Sequence, residues 1–189
     1  MSQKLKIRTG VLSALVLLIA LSRLLPHPPN FTPVGAMALF GAAYFHRKSL
    51  AFVIPFLAMW ISDLLLNNML YRQLYPEFYN GFSWFGSIWV YASFALIVII
   101  GFVFLKKVNL PRLLGASLSA STLFFLITNF GVWMSSVTLP KTFEGLMTAY
   151  TLGIPFFWNT LIGDLFFTAL LFGSFELVRR NVPTLQLAK

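Results

Sequence analysis

The sequence predicts an all-α integral membrane protein, a bundle of six transmembrane helices, and three observations predict it. Hydrophobic residues make up 58% of the 189 residues and charged residues only 10%, whereas a soluble domain commonly carries about a quarter charged residues. Six apolar runs follow one another along the chain. The basic residues are shared unequally between alternate connections. Lipid is then the main solvent. No polar stretch is long enough to fold separately, so residues 1–189 read as a single transmembrane domain.

The runs are Val11 to Leu25, Val34 to Phe45, Leu50 to Leu66, Ile88 to Leu105, Leu113 to Met134 and Ile154 to Leu177. A helix needs roughly 20 residues to span the hydrocarbon, with a lower limit near 17. Runs three to six meet that limit. The first two are weaker alone and flank a proline-rich bend. The second is short enough to be broken or re-entrant.

Lys and Arg set the orientation. With a cytoplasmic N-terminus and six crossings, the inner side receives Lys4, Lys6, Arg8, Arg47, Lys48, Lys106, Lys107, Arg112, Arg179, Arg180 and Lys189. The outer side receives Arg23, Arg72 and Lys141. Eleven of the 14 basic residues thus fall inside, which predicts a multi-pass protein with both termini cytoplasmic. Residues 1–22 offer a rival reading as a cleaved secretory signal, with basic residues ahead of an apolar stretch and Ala20-Leu21-Ser22 as a poor cleavage site.

The net charge of +9 does not point to nucleic acid, because the charges lie in small groups between apolar runs. With no Cys there is no disulfide, thiolate metal site or cysteine nucleophile. No phosphate-binding glycine loop, serine elbow, zinc motif or glycosidase carboxylate pair is present. No enzymatic activity, cofactor or metal is expected, and any ATP-driven role needs a partner.

Two outer connections are conspicuous. Asn67 to Ser87 contains Tyr71, Tyr75, Phe78, Tyr79, Phe82, Trp84 and Phe85. Ser135 to Gly153 contains Lys141, Glu144 and Tyr150 and leads into Pro155-Phe156-Phe157-Trp158-Asn159. They read either as an interfacial aromatic belt or as a lid whose ring faces stack on a planar ligand. Pro26-His27-Pro28-Pro29-Asn30-Phe31-Thr32-Pro33 cannot be helical and makes a stiff bend. Asn30 and Thr32 can cap the second helix. His27 and His46, the only histidines, lie at opposite faces, which argues against a metal.

Carboxylates inside spans are costly, so Asp63 and Asp164 draw attention. Asp63 and Asn67 share a helix face, and Thr160, Asp164 and Thr168 form a second polar stripe. With Asn129 and Asn159 in the outer halves of their spans, Asp63, Asn67, Asn129, Asn159 and Asp164 can line one outward cavity. They can equally bond between helices and hold the bundle together. No Lys or Arg stands out as an ion-pair partner deep in a span. Small residues four apart, Ala38 with Ala42 and Gly115 with Ser119, provide close helix contacts within the bundle or with a partner.

Pro26 to Phe45, Thr128-Asn129-Phe130-Gly131-Val132-Trp133 and Pro155 to Gly173 resemble an uncharacterised bacterial family described as transport proteins. That family in turn is similar to the substrate-binding S components of energy-coupling factor transporters, which import vitamins. The resemblance implies a bacterial inner-membrane protein of six helices with an outer pocket closed by loops, a transmembrane coupling subunit and two ATPases as partners. The chain departs from S components in one respect: Val11 to Leu25 has no clear alanine pair for docking.

The expected function is therefore the substrate-binding subunit of a small-molecule, vitamin-like importer. Asp63, Asn67, Asn129, Asn159 and Asp164 supply polar contacts, Trp84, Trp133 and Trp158 stacking or closure, and His27, Asn30 and Thr32 the mouth. The alternatives are a self-contained proton-coupled carrier using Asp164 and a non-transporting membrane scaffold or assembly protein.

Overall fold

The computed structural model describes residues 2–186; Lys189 of the basic set lies outside them. Among the described residues the chain is all-helical, with no strand. Six helices carry the fold: α1 (Gln3–Leu21), α2 (Val34–Tyr44), α3 (Lys48–Leu65), α4 (Ile88–Phe104), α5 (Leu110–Ser135) and α6 (Phe143–Asn181). A 3-10 turn prolongs α1 to Leu24. A π-helical stretch, Leu66–Tyr71, and one further turn prolong α3 to Leu74. Four helical stretches, Gln3–Leu24, Lys48–Leu74, Leu110–Ser135 and Phe143–Asn181, are long and apolar enough to cross a membrane. Val34–Tyr44 and Ile88–Phe104 are shorter apolar helices.

The short α2 is the hub, and it touches all five other helices. Its 11 residues span about 16 Å at ~1.5 Å per residue. Its sequence is apolar all round, and nine of its residues are buried, as a helix enclosed on every side must be. Small residues permit the enclosure. A Cβ on Gly41 would lie 2.7 Å from Pro55 of α3, and one on Gly101 of α4 would lie 2.5 Å from the Cβ of Ala42. The small residues of the second run thus serve packing within this bundle. Near the far end of α2, Phe40 meets Phe172 and Phe175 edge-on, at 5.3 and 5.7 Å between centroids.

Other helices hold both ends of α2. At its N-terminus neither Asn30 nor Thr32 acts as the cap; Pro33 occupies that position, without a side-chain bond. The Asp164 carboxyl, from the middle of α6, lies against the backbone amides of Gly35 and Ala36 instead, and the Ser121 hydroxyl donates to it at 2.7 Å. The carboxyl oxygens thus supply acceptors to amides that the helix leaves free at its N-terminus. At the C-terminus the buried Arg8 of α1 donates to the Tyr44 carbonyl at 3.2 Å and to the Leu185 carbonyl at 2.8 Å. Beside it the Tyr44 hydroxyl donates to Glu176 at 2.5 Å, and Glu176 pairs with Arg179 at 2.6 Å.

Two boundaries differ from the sequence reading. The last helix begins at Phe143, so most of the expected loop Ser135 to Gly153 is helical. Thr142 caps it, accepting the Gly145 amide at 3.3 Å. The polar Glu144, Thr148 and Thr151 ahead of Pro155 mask this turn-by-turn continuity in a search for apolar runs. Likewise the expected loop from Asn67 stays helical to Leu74.

Candidate functional site

At the end of the bundle opposite Arg8, the helix ends part and enclose a hollow with three lobes. The first, about 530 Å³, lies between α4, α5 and α6, with Trp89, Phe124, Asn129, Leu152 and Phe156 among its walls. The second, about 500 Å³, lies under the proline-rich bend, between Arg23, His27, Thr32, Tyr71, Tyr75 and Tyr79. The third, about 330 Å³, is bounded by Arg23, Asp63, Asn67, Tyr79 and Gly86. Pro29, Asn30, Val90 and Phe124 are shared by the first two lobes, Arg23, Tyr71, Tyr79 and Val90 by the second and third, and Val90 lines all three. The three lobes therefore adjoin one another.

An ion pair stands in its wall. Arg23, at the end of α1, reaches Asp63 of α3, Nη1 to Oδ1 at 2.7 Å, with side chains 12% and 7% exposed. The same nitrogen donates to the Ser62 hydroxyl at 2.6 Å. The Tyr91 hydroxyl of α4 donates to the other Asp63 oxygen at 2.7 Å. The sequence reading found no cation for a buried aspartate; Arg23 is that cation. It was missed because it sits at the edge of the first apolar run, distant in sequence from Asp63, while the two helix ends stand side by side.

The π-helical stretch brings Asn67 and Tyr71 to the same lobe as Asp63. Such wide turns recur at functional sites, where they re-aim side chains. Next to them Asn68 clasps the following loop. Its amide donates to the Ser83 carbonyl and its carbonyl accepts the Ser83 amide, both at 2.8 Å. The loop is thereby held as a wall. Sequence reasoning passed over Asn68, because its partner Ser83 lies in a loop and leaves no periodic signal.

The bend above the hollow is pinned to α6. Asn159 donates to the Pro29 carbonyl at 2.9 Å. Phe31 packs on Phe166 and Phe167 at 5.7 and 5.4 Å. A Cβ on Gly163 would lie 3.1 Å from the Thr32 amide nitrogen, so the bend passes directly over that glycine. Asn30 turns the chain with a positive φ of 64°, a conformation that asparagine tolerates. The His27 ring nitrogens face the carbonyls of Pro28 and Arg23, at 2.9 and 3.2 Å.

The residues singled out from the sequence thus separate. Asp63, Asn67, Asn129, His27, Asn30 and Thr32 line the hollow. Asn129 also donates to the Phe125 carbonyl at 2.8 Å. Asp164 is only 2% exposed, under α2, and Asn159 serves the bend; neither is among the lining residues. Trp84 and Trp158 are 63% and 57% exposed. Trp133 donates to the Pro140 carbonyl at 2.9 Å and lies under Lys141. None of these three tryptophans lines the hollow. The tryptophan that does is Trp89, whose ring rests on Gly131. The tyrosine series 71, 75 and 79, at four-residue spacing, is the pattern that marks the second lobe in the sequence.

Burial, with Tyr71 and Asp63 alongside, pushes the Tyr79 phenol above its ordinary range. It therefore remains a hydrogen-bond donor. The hollow as a whole offers a cation, hydroxyl and amide donors, and apolar walls, which is equipment for holding a small molecule.

The chain belongs to a family of unknown function, DUF6580, which it matches over residues 3–185. No curated protein and no solved structure matches it.

Proposed function

We propose that this protein is a multi-pass membrane protein that captures a small molecule in the three-lobed hollow, as the substrate-binding subunit of an importer. One observation carries the reading: three adjoining lobes of about 530, 500 and 330 Å³ gather at one end of the bundle around a mostly buried ion pair. Pockets of several hundred Å³ with apolar walls and a few convergent polar groups are the usual form of ligand sites.

Insertion in a membrane is supported by the sides of the helices. Leu18, Val53, Ile99, Leu118, Ile162 and Phe166 are each at least 49% exposed, which suits lipid and not water. Orientation is supported by charge. Basic residues crowd the end that carries Arg8, whereas the hollow end has Arg23, Arg72 and Lys141. Under the positive-inside rule the hollow then opens away from the cytoplasm, with both termini on the cytoplasmic side of a bacterial inner membrane. Uptake driven by ATP would need a coupling subunit with ATPases at the basic end, as S components have. The place of Asp164, under α2 and bonded to Ser121, favours a structural role for it over proton carriage.

The test is native mass spectrometry of the full chain released from lipid nanodiscs, followed by thermal-shift screening against vitamins and their precursors. A copurifying small molecule that Asn129→Ala or Asn67→Ala displaces supports the reading. Preparations that are repeatedly empty and unmoved by the panel refute it, and leave a scaffold role in its place.

A further inference from the structure

We infer that the molecule held in the hollow is an amphipathic acid, with an anionic head in the second lobe against Arg23 and an apolar body in the first lobe. The inference rests on the reading of the hollow as a ligand site and names the class of ligand.

Polarity is divided between the lobes. The first is walled mainly by carbon: Trp89, Val90, Phe124, Leu139, Leu152 and Phe156. In the second, among the described residues, the wall holds the Arg23 guanidinium and the tyrosines 71, 75 and 79 but no carboxylate. Asp63, which faces the third lobe, engages Arg23 through Nη1; the Arg23 Nε is enclosed, but Nη2 makes no hydrogen bond among the described residues and is not enclosed. The donors of the guanidinium are thus not exhausted by Asp63. A guanidinium with donors to spare, beside phenols, suits a carboxylate or phosphate oxygen, since charge-assisted hydrogen bonds are about twice as strong as neutral ones. The two lobes adjoin along Pro29, Asn30, Val90 and Phe124, and one molecule would bridge them there. An amine head would meet Arg23 with like charge. A head without charge would leave the guanidinium poorly matched.

The test uses the full chain in nanodiscs and three probes with one body and different heads: phenylbutyrate, phenylbutanol and phenylbutylamine. Binding is read from tryptophan emission and from the unfolding temperature. The acid should bind about tenfold or more tighter than the alcohol and the amine. The double variant Arg23→Gln with Asp63→Asn removes both charges together and leaves no orphan; in it the preference for the acid should vanish while the alcohol binds as before. Tyr79→Phe keeps the ring, guards against a double variant that does not fold, and should weaken the acid more than the alcohol. Equal binding of acid and alcohol, or preference for the amine, overturns the inference and leaves the hollow a ligand site. Binding of none of the three overturns both. Acid preference that survives the double variant and Tyr79→Phe overturns the placement of the head.

Discussion

Arg23 and Asp63 form an ion pair of 2.7 Å between the end of α1 and the C-terminal turn of α3, in the wall of the hollow. Tyr91 completes it from α4 with a 2.7 Å hydrogen bond. Three helices are thus tied at one polar point. Removing one partner leaves the other charge mostly buried and unmatched, at a cost of about 3–5 kcal/mol. Asp63→Ala should therefore lower the unfolding temperature sharply. Arg23→Met with Asp63→Leu should lower it much less, because no charge is left unpaired. Thermal unfolding of the purified protein, followed by tryptophan emission, gives the comparison; a double variant as unstable as the single would contradict it.

At the centre of the bundle the Asp164 carboxyl occupies the space a side chain at Gly35 would need. Gly35→Ala should destabilise the protein by about 1–3 kcal/mol through overpacking. Asp164→Asn keeps the size but turns one of the two carboxyl oxygens facing the N-terminus of α2 into an amide donor, and should cost about 0.5–2 kcal/mol. Neither should alter affinity for a ligand in the hollow once the protein is folded. Chemical unfolding curves with parallel binding measurements test the point, and a change in affinity with unchanged stability would show Asp164 to belong to the site.

Arg8 binds the carbonyls of Tyr44 and Leu185, joining α1, α2 and the last described turn, Pro183–Leu185. Hydrogen bonds from charged groups contribute about 1.5–3 kcal/mol each. Arg8→Ala should release the turn, seen as faster protease cleavage after Arg179 and Arg180. Arg8→Lys should rescue only in part, since one ammonium lacks the fork that reaches both carbonyls. Cleavage at the wild-type rate in Arg8→Ala would show that the turn is held by other contacts.

The absence of cysteine makes topology easy to probe. Gly81→Cys and Thr138→Cys, beside the hollow, should react with a membrane-impermeant maleimide added to intact cells. Lys107→Cys should react only after the membrane is opened. The opposite pattern would reverse the proposed orientation.

How much of this was readable beforehand varies with the element. The run Val34 to Phe45 marks α2 almost to the residue, because the proline-rich bend before it and the basic pair Arg47-Lys48 after it bound an unbroken apolar stretch. The run Ile154 to Leu177 marks only part of α6, because helix continuity through Thr148, Thr151 and Pro155 depends on backbone bonds that carry no hydropathic signal. Asp63 and Asn67 were found by their shared face and do line one lobe. Arg23 and Trp89 were not found: each is ordinary in its own segment and acquires meaning from a neighbour on another helix.

The amino-acid sequence alone determined that the chain is helical, where its apolar runs lie, and which few side chains carry charge among them. Those properties are local, since apolar surroundings oblige each backbone to bond within its own helix. Only the tertiary structure decided which polar groups meet: Asp164 under Gly35, Arg23 beside Asp63, Asn159 on Pro29. Such meetings depend on the rotation and depth of each helix, and close fits such as Gly41 on Pro55 and Gly101 on Ala42 set both. Steric fit between helices is shared by two segments and written in neither.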